Sequence, residues 1–242
     1  MIKIGITGAS GRMGQSLINV IENTEGLTLS GAVDKGDDLA PFFKNADVVI
    51  DFTIPEATMA HIDMAVQTGT ALVIGTTGLS DDQEAILKSS ANKTPILYAA
   101  NMSVGVNMLI ALVEQTASRL GIDWDIEIFE THHHHKIDSP SGTALALGKG
   151  AQSGRAKTVK GGGDFVTDRT GKRQAGDIGY AVQRGGDVVG EHDVTFFGEG
   201  ERITLGHKAT DRSLFAKGAV RAASWLSDKP AGLYSMRDVL GL

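Results

Sequence analysis

The length, composition and charge of the chain limit the classes of protein to which it can belong. Its 242 residues suffice for one large domain or two small ones, and its apolar (41%) and charged (21%) fractions are ordinary for globular proteins. The net charge of −6 disfavours a general nucleic-acid binder, and the lack of cysteine excludes disulfides, a thiol nucleophile and thiolate metal sites. No apolar run approaches the ~18 residues of a transmembrane helix, and the first residues indicate a strand rather than a signal peptide. We therefore expect a cytoplasmic protein with no membrane partner.

The first hundred residues alternate between strand and helix patterns. Strands are predicted at 2–7, 27–33, 47–52, 71–74 and 95–99, and helices at 12–22, 58–68 and 81–90. The third of these strands is almost wholly apolar in its centre, as expected for a parallel strand that is covered on both faces. The alternation predicts βαβ units and an α/β domain with a parallel sheet.

The pattern changes after Asn101. Helices are predicted at 104–120, 141–152 and 214–226, strands at 124–131, 178–183, 192–197 and 202–207, and a glycine-rich, charged loop at 153–176. Short turns such as Gly198–Gly200 between the last strands predict an α+β domain on a mixed, largely antiparallel sheet. We place the first domain at 1–103, completed by 214–242, and the second at 104–213.

A glycine-rich turn lies between the first predicted strand and the first predicted helix. It comprises Gly8, Ala9, Ser10, Gly11, Arg12, Met13 and Gly14. Glycine there permits a tight reversal, close approach of a pyrophosphate to the backbone, and packing of helix on strand. The N-terminus of the helix offers N–H groups to the phosphates, and Arg12 adds a cation. The turn predicts a Rossmann-like dinucleotide-binding domain, with a turn that binds no ligand as the alternative.

Asp34 supports the dinucleotide interpretation. It lies at the end of the second strand, 20 residues beyond Gly14, where an acid accepts hydrogen bonds from the ribose hydroxyls. Lys35 could pair with a 2′-phosphate, so we expect either NADH or NADPH to serve as cofactor. Two further loops at strand ends are predicted to admit the nicotinamide ribose: Gly75, Thr76 and Thr77, and Ala99, Ala100, Asn101 and Met102.

The most unusual segment runs from 130 to 143 and reads ETHHHHKIDSPSGT. Histidine transfers protons near neutral pH, and Lys136 adds a positive charge and a possible acid. Ser141 is predicted to be the N-cap of a helix that Gly142 and Thr143 open, and the backbone N–H groups there can hold a carboxylate. The segment therefore predicts a catalytic site for an anionic substrate.

Other interpretations of this segment stay open. His132 and His134 would share one side of an extended strand and could hold zinc, and a purely structural role is also possible. No HExxH or comparable spacing supports a metal, so none is predicted. For the whole chain, the competing functions are a different NAD(P)-dependent dehydrogenase of a small carboxylate, a nucleotide-sensing module without catalysis, and a metallohydrolase. A substrate panel, a turnover assay and elemental analysis would distinguish them.

Taken together, these motifs resemble one family. HHHHKIDSPSGTA is similar to the pattern E-x-H-H-x-H-K-x-D-x-P-S-G-T-A of the 4-hydroxy-tetrahydrodipicolinate reductases, and the similarity extends through GASGRMG, DFTIPE, GTTG, AANMSVG, GEH and MRDVL. The resemblance implies an oxidoreductase of lysine and diaminopimelate synthesis. Such an enzyme uses NADH or NADPH to reduce a small dicarboxylate, the dehydrated form of 4-hydroxy-tetrahydrodipicolinate, to tetrahydrodipicolinate. It also implies a homotetramer formed through the sheet of the second domain.

The resemblance further implies roles for single residues. His132 corresponds to a proton donor or acceptor and Lys136 to the proton donor. Contacts with the substrate carboxylates are implied for His133, Gly142 and Thr143. Nucleotide contacts are implied for Gly8 to Met13, Asp34, Gly75 to Thr77 and Ala99 to Met102.

Overall fold

The computed structural model describes residues 1–159 and 163–242, which form two compact units. One unit contains residues 1–104 and 213–242, and the other contains residues 105–212. None of the described helices is both long enough and apolar enough to cross a membrane. Part of the loop predicted at 153–176, residues 160–162, lies outside the described residues.

The first unit consists of helices packed on a six-stranded sheet. Its strands are β1 (Ile2–Thr7), β2 (Leu27–Val33), β3 (Val48–Asp51), β4 (Ala71–Ile74), β5 (Pro95–Tyr98) and β11 (Gly232–Tyr234). Its helices are α1 (Arg12–Glu22), α2 (Leu39–Lys44), α3 (Pro55–Thr68), α4 (Asp81–Ser90), α7 (Ser213–Leu226) and α8 (Met236–Leu240). The strand order is β11-β5-β4-β3-β1-β2, and neighbouring strands are parallel. The predicted Rossmann-like parallel sheet is therefore confirmed.

Helices cover both faces of this sheet, which explains the apolar runs in the sequence. Val48 and Ile50 of β3 pack in a cluster with residues of α1 and α7, whereas Val49 packs in a cluster with residues of α2, α3 and α4. All four residues of β3 and of β4 are buried. Helix α3 begins three residues before its predicted start, because Pro55 is tolerated in the first turn, where its missing N–H costs no hydrogen bond.

The second unit packs helices on a five-stranded sheet. Its elements are α5 (Val104–Ala117), β6 (Asp125–His132), α6 (Gly142–Arg155), β7 (Phe165–Val166), β8 (Ile178–Arg184), β9 (Gly190–Gly198) and β10 (Glu201–Ala209). The strand order is β10-β9-β6-β8-β7, with β9 antiparallel to both β10 and β6, and β8 parallel to both β6 and β7. The predicted mixed sheet is confirmed, but β8 and β9 are not neighbours, because β6 lies between them.

The expectation of an irregular loop throughout 153–176 is wrong at its beginning and in its middle. Helix α6 continues to Arg155, and β7 pairs with β8. Gly154 was interpreted as part of the glycine-rich loop, but it serves close packing in α6. A Cβ there would lie 2.1 Å from the Glu114 carbonyl oxygen, so only glycine lets α6 approach α5 so closely.

Candidate active site

The glycine-rich turn Gly8–Gly14, called the phosphate turn below, has the geometry that a bound pyrophosphate needs. Gly8 has a φ of +72°, and the Gly11 N–H donates to the Gly8 carbonyl at 3.1 Å, which closes the reversal. Gly11 is also the N-cap of α1. A Cβ at Gly14 would lie 2.2 Å from the Gly8 carbonyl oxygen, so α1 packs directly on the turn. The three glycines therefore build a backbone cradle that fits a dinucleotide phosphate at a helix N-terminus.

Asp34 lies beside this turn. Its carboxylate accepts hydrogen bonds from the Ser10 backbone N–H at 3.1 and 3.2 Å and from the Ser10 hydroxyl at 3.0 Å. Ser10 occupies the position of the second glycine of the commonest fingerprint, and in this chain it contacts the predicted ribose acceptor directly. The sequence offered no sign of that contact, because the spacing of 24 residues has no local period. Lys35 follows Asp34 in the turn after β2.

The other two predicted loops begin at the same edge of the sheet. Gly75–Thr77 follows β4 and Ala99–Met102 follows β5, and the Ala99 N–H donates to the Ile74 carbonyl at 3.1 Å. A Cβ at Gly75 would lie 2.3 Å from the Phe52 ring, so glycine is required for the loop to pass that side chain. The structure thus brings all the predicted nucleotide residues to the carboxyl ends of parallel strands, where open α/β sheets bind their ligands.

A buried carboxylate beneath these loops was not predicted as part of the site. Asp51, at the end of β3, is fully buried and accepts from the hydroxyls of Thr7 at 3.2 Å, Thr53 at 2.6 Å and Thr76 at 3.4 Å. His61 Nδ1 lies 3.2 Å from its other oxygen. Burial raises the pKa of Asp51, but the contacts with His61 and the hydroxyls outweigh it and hold the pKa below its usual value. The sequence could have indicated Asp51, because it is an acidic residue at the end of an otherwise apolar strand.

The histidine segment, residues 130–143, begins on the buried side of β6. Alternate residues of this strand are buried, and they are Ile126, Ile128, Glu130 and His132. The strand ends at His132, so the alternation that was expected to place His132 and His134 on one side does not continue. His134 instead lies in the following turn, with Nδ1 2.8 Å from the Gly186 carbonyl oxygen.

Glu130 makes four close polar contacts. Its two oxygens accept a bidentate pair of hydrogen bonds from Arg184, at 2.8 and 2.9 Å, and a third from the Ser141 backbone N–H at 2.9 Å. His132 Nδ1 lies 2.5 Å from Oε2. Burial raises the pKa of Glu130, but these donors outweigh it, so the pKa lies below its usual value and the group is ionised. The sequence could have indicated this buried position through the alternation along β6.

His192, on β9, lies next to the same cluster. Its ring is 5.0 Å from that of His132, in an edge-to-face arrangement, and its Nε2 is 3.0 Å from the Ser141 hydroxyl. Burial, with a smaller contribution from the charge of His132, lowers the pKa of His192 to about 4. His192 is therefore neutral near pH 7, and its role is to form a hydrogen bond with the Ser141 hydroxyl rather than to supply a proton.

The metal interpretation can be tested against these contacts. Ligand atoms of Glu130, His132 and His192 lie within 4.8 Å of one another, close enough to surround a cation. Both oxygens of Glu130, however, already accept hydrogen bonds from Arg184, whose positive charge opposes a metal ion. The contacts favour a hydrogen-bonded cluster over a metal site.

The remaining predicted residues lie around the N-terminus of α6. Ser141 is the N-cap, as predicted, and its hydroxyl accepts from the Ala144 N–H at 3.1 Å. Lys136 Nζ donates to Asp138 at 2.8 Å, and Asp138 also accepts from the backbone of Gly142, which helps to hold its pKa below the usual value. Thr143 is in the first turn of the helix. A carboxylate is thus already held between Lys136 and the helix N-terminus.

His133 lies on the other side of this turn. The Arg212 guanidinium donates to His133 Nε2 at 3.2 Å, and the His133 N–H donates to the Val188 carbonyl at 2.8 Å. Burial and the charge of Arg212 lower the pKa of His133. A neutral imidazole beside a guanidinium is suited to binding an anion rather than to donating a proton.

Known proteins are similar to this chain over its whole length. Family models described as the N-terminus and the C-terminus of dihydrodipicolinate reductase match residues 2–102 and 105–240. A 4-hydroxy-tetrahydrodipicolinate reductase of Rhizobium rhizogenes is 48% identical over 266 aligned residues, covering 100% of this chain and 97% of the relative. One from a Ruegeria species is 46% identical, covering 99% and 98%.

A solved structure shows the same fold. It is a dipicolinate-bound dihydrodipicolinate reductase from Paenisporosarcina, with a TM-score of 0.83, 24% identity and 97% coverage of each chain. Together with the two family models, which span nearly all of the chain, these relatives confirm the resemblance inferred from the sequence motifs. The chain belongs to the dihydrodipicolinate reductase family of NADH- or NADPH-dependent oxidoreductases.

Proposed function

We propose that this chain reduces 4-hydroxy-tetrahydrodipicolinate, through its dehydrated form, to tetrahydrodipicolinate in lysine and diaminopimelate synthesis. The observation that carries the proposal is the local fold of residues 130–143. The end of β6 presents His132, and the turn that follows places Lys136 next to a carboxylate at the N-terminus of α6. A site that already holds one carboxylate between a cation and a helix N-terminus suits a dicarboxylate substrate.

We assign the dinucleotide to the first unit. The Gly8–Met13 turn would hold the pyrophosphate, Asp34 the ribose hydroxyls and Lys35 a 2′-phosphate. The loops Gly75–Thr77 and Ala99–Met102 would contact the nicotinamide end. When bound, NADH or NADPH supplies a hydride to the substrate ring. The close packing of α1 on the turn at Gly14, together with the reversal at Gly8–Gly11, supports this assignment.

We assign the substrate to the second unit. Lys136 donates the proton that follows hydride transfer, because an ammonium group can act as a general acid and would face the electron density left on the ring. His132 orients the substrate or relays the proton. His133, Gly142 and Thr143 hold substrate carboxylates, and a substrate carboxylate replaces that of Asp138 beside Lys136 and Gly142. That exchange would release Lys136 from Asp138 and bring it into contact with the substrate.

A coupled assay tests this function. The purified protein is mixed with a dihydrodipicolinate synthase and its substrates, and oxidation of NADH and of NADPH is followed by absorbance at saturating substrate. We expect turnover with both nucleotides, NADH being at least as good as NADPH. Tight NADH binding without turnover would contradict the proposal and favour a nucleotide-sensing module. Turnover only with other carboxylates in a substrate panel would favour a different dehydrogenase.

We further propose a cytoplasmic homotetramer assembled through the sheet of the second unit. Among the described residues of that unit, α5 and α6 pack on one face of the sheet, through Ile126, Ile128 and Phe196. The opposite face carries Phe129, which is 38% exposed, and Phe197. Sedimentation of the wild type and of Phe129→Lys tests the assignment: the wild type should sediment as a tetramer and the variant as smaller species. Tetramers of both would place the interface elsewhere.

A further inference from the structure

The two ring nitrogens of His132 have different surroundings. Nδ1 lies 2.5 Å from Oε2 of Glu130, which is fully buried. No residue that the structure describes hydrogen-bonds Nε2, and a Cβ at Gly190 would lie 2.9 Å from it. An ionised carboxylate can only accept hydrogen bonds, so the proton of this contact belongs to Nδ1.

The position of Glu130 is itself fixed from three directions. Arg184 binds both carboxylate oxygens from β8, the Ser141 N–H binds one of them from the start of α6, and His132 binds the other from β6. Arg184 also donates to the Asp138 carbonyl at 2.7 Å, in the turn that carries Lys136. Bidentate guanidinium contacts have a defined geometry, so the carboxylate has little freedom to rotate.

We propose that Glu130 is a positioning residue, which holds His132 in the tautomer with hydrogen on Nδ1 and leaves Nε2 to exchange protons with the substrate. The choice of Nε2 as the reacting atom rests on the proposed function, whereas the tautomer does not. The ring orientation and the tautomer of a histidine are set by the partner of its other nitrogen. Glu130 also ties that ring to the turn of Lys136 through Arg184.

The charge of Glu130 has a further consequence for His132. Burial lowers the pKa of His132, the Glu130 contact raises it, and the charges of Lys136 and Arg184 lower it, for a net decrease. The groups that face His132 are therefore Glu130 on its own strand, Lys136 in the following turn, Arg184 on β8 and His192 on β9. Removal of the Glu130 charge leaves only effects that disfavour the imidazolium.

The test is ¹⁵N NMR of the histidine side chains in the wild type and in Glu130→Gln, with the His132 signals identified by their loss in His132→Asn. In the wild type we expect the Nδ1–H tautomer. In Glu130→Gln we expect a mixture of tautomers and a titration midpoint of His132 at lower pH. We also expect turnover to fall about 10- to 100-fold, part of the ~10²- to 10⁴-fold contribution of a positioned acid or base, with the NADH Michaelis constant almost unchanged.

Glu127→Gln is the matched control. Glu127 lies on the same strand three residues earlier, on the opposite face, and pairs with Arg169 and Arg173. This variant loses the same charge but should leave the His132 tautomer and titration as in the wild type.

The outcomes separate this inference from the proposed function. An Nε2–H tautomer in the wild type would overturn the positioning role without any variant, so a failure of Glu130→Gln to fold does not remove the test. An unchanged tautomer in Glu130→Gln would overturn it as well. A wild type that shows the Nδ1–H tautomer but reduces no 4-hydroxy-tetrahydrodipicolinate would contradict only the function.

Discussion

The loops predicted to bind the nucleotide in the first unit depend mainly on backbone groups, whereas the histidine segment of the second unit depends on side chains. The turn at Gly8–Gly14 depends on the backbone, because its glycines permit the reversal and the close packing of α1 on the turn. The segment that ends β6 depends on side chains, because His132 and Lys136 are each held by a carboxylate. Backbone N–H groups suffice to bind a phosphate, whereas proton transfer needs groups that can gain and lose a proton.

The two buried carboxylates show the same contrast. Asp51 accepts hydrogen bonds from the hydroxyls of Thr7, at the end of β1, and of Thr53 and Thr76, in the loops after β3 and β4. It therefore holds these loops in place. Glu130 accepts from a guanidinium and a helix N-terminus and contacts a single reactive ring. Each carboxylate also lies beside a histidine, His61 for Asp51 and His132 for Glu130, but only His132 belongs to the predicted catalytic segment. The variants below test that division, from the largest expected effect to the smallest.

Lys136→Ala should have the largest effect. Loss of the proposed proton donor should lower turnover by ~10²- to 10⁴-fold, while NADH affinity stays almost unchanged. Turnover at saturating substrate and NADH binding by fluorescence measure the two quantities. Lys149→Ala, at an exposed position of α6, is the control and should be active. Near-normal turnover of Lys136→Ala would mean that Lys136 only anchors a carboxylate and that His132 or water supplies the proton.

Gly14→Ala tests the backbone side of the comparison. The added Cβ would lie 2.2 and 2.8 Å from the carbonyl oxygens of Gly8 and Ala9, so the turn must shift. Overpacking of this kind costs about 1–3 kcal/mol, and we expect NADH to bind about 10- to 100-fold more weakly. Titration with NADH measures the loss, and Asn19→Ala, on the exposed side of α1, is the control. Unchanged NADH affinity in a folded Gly14→Ala would show that the nucleotide does not use this turn.

Asp51→Asn should affect stability rather than chemistry. Hydrogen bonds to charged groups contribute about 1.5–3 kcal/mol each, so the variant should unfold at lower urea concentration near pH 7 but keep its turnover at saturating ligands. Because the pKa of Asp51 is lowered by folding, its stabilising effect is present above the ordinary value of 3.8 and is lost as the pH falls through the folded-state value.

The difference in stability between the wild type and Asp51→Asn should therefore shrink below about pH 4. Asp63→Asn, at an exposed position of α3, should show no such pH-dependent difference from the wild type. A difference that is independent of pH between 3 and 7 would mean that folding leaves the pKa of Asp51 unchanged. Urea unfolding at several pH values measures it.

Lys35→Ala should have the smallest effect and should act on one nucleotide. An exposed lysine contributes about 0.2–1 kcal/mol to an ion pair, so NADPH should bind about 2- to 5-fold more weakly and NADH equally well. Michaelis constants for both nucleotides measure the change, with Lys44→Ala in α2 as control. Equal losses for NADH and NADPH would show that Lys35 does not contact the 2′-phosphate.

Short elements could not be predicted from the pattern. Helices α2 and α8 and strand β11 have six, five and three residues, which is less than two helical turns or a readable alternation. The strand order of the second sheet could not be predicted from the sequence either. Strand β6 separates β8 from β9, and no local rule assigns a strand to the middle of a mixed sheet.

The sequence alone determined the parallel α/β sheet, the phosphate turn, the N-cap at Ser141 and the residues that resemble the family, because these depend on local periods, glycine spacing and short motifs. Only the tertiary structure decided that Ser10 contacts Asp34, that Asp51 lies among three threonines, and that Glu130 joins His132 to Arg184. Apart from Thr53 and His132, which lie two residues from their carboxylates, the partners are 24 to 54 residues apart along the chain. Hydrogen bonding acts over about 3 Å in space, so these contacts exist only after the strands have paired.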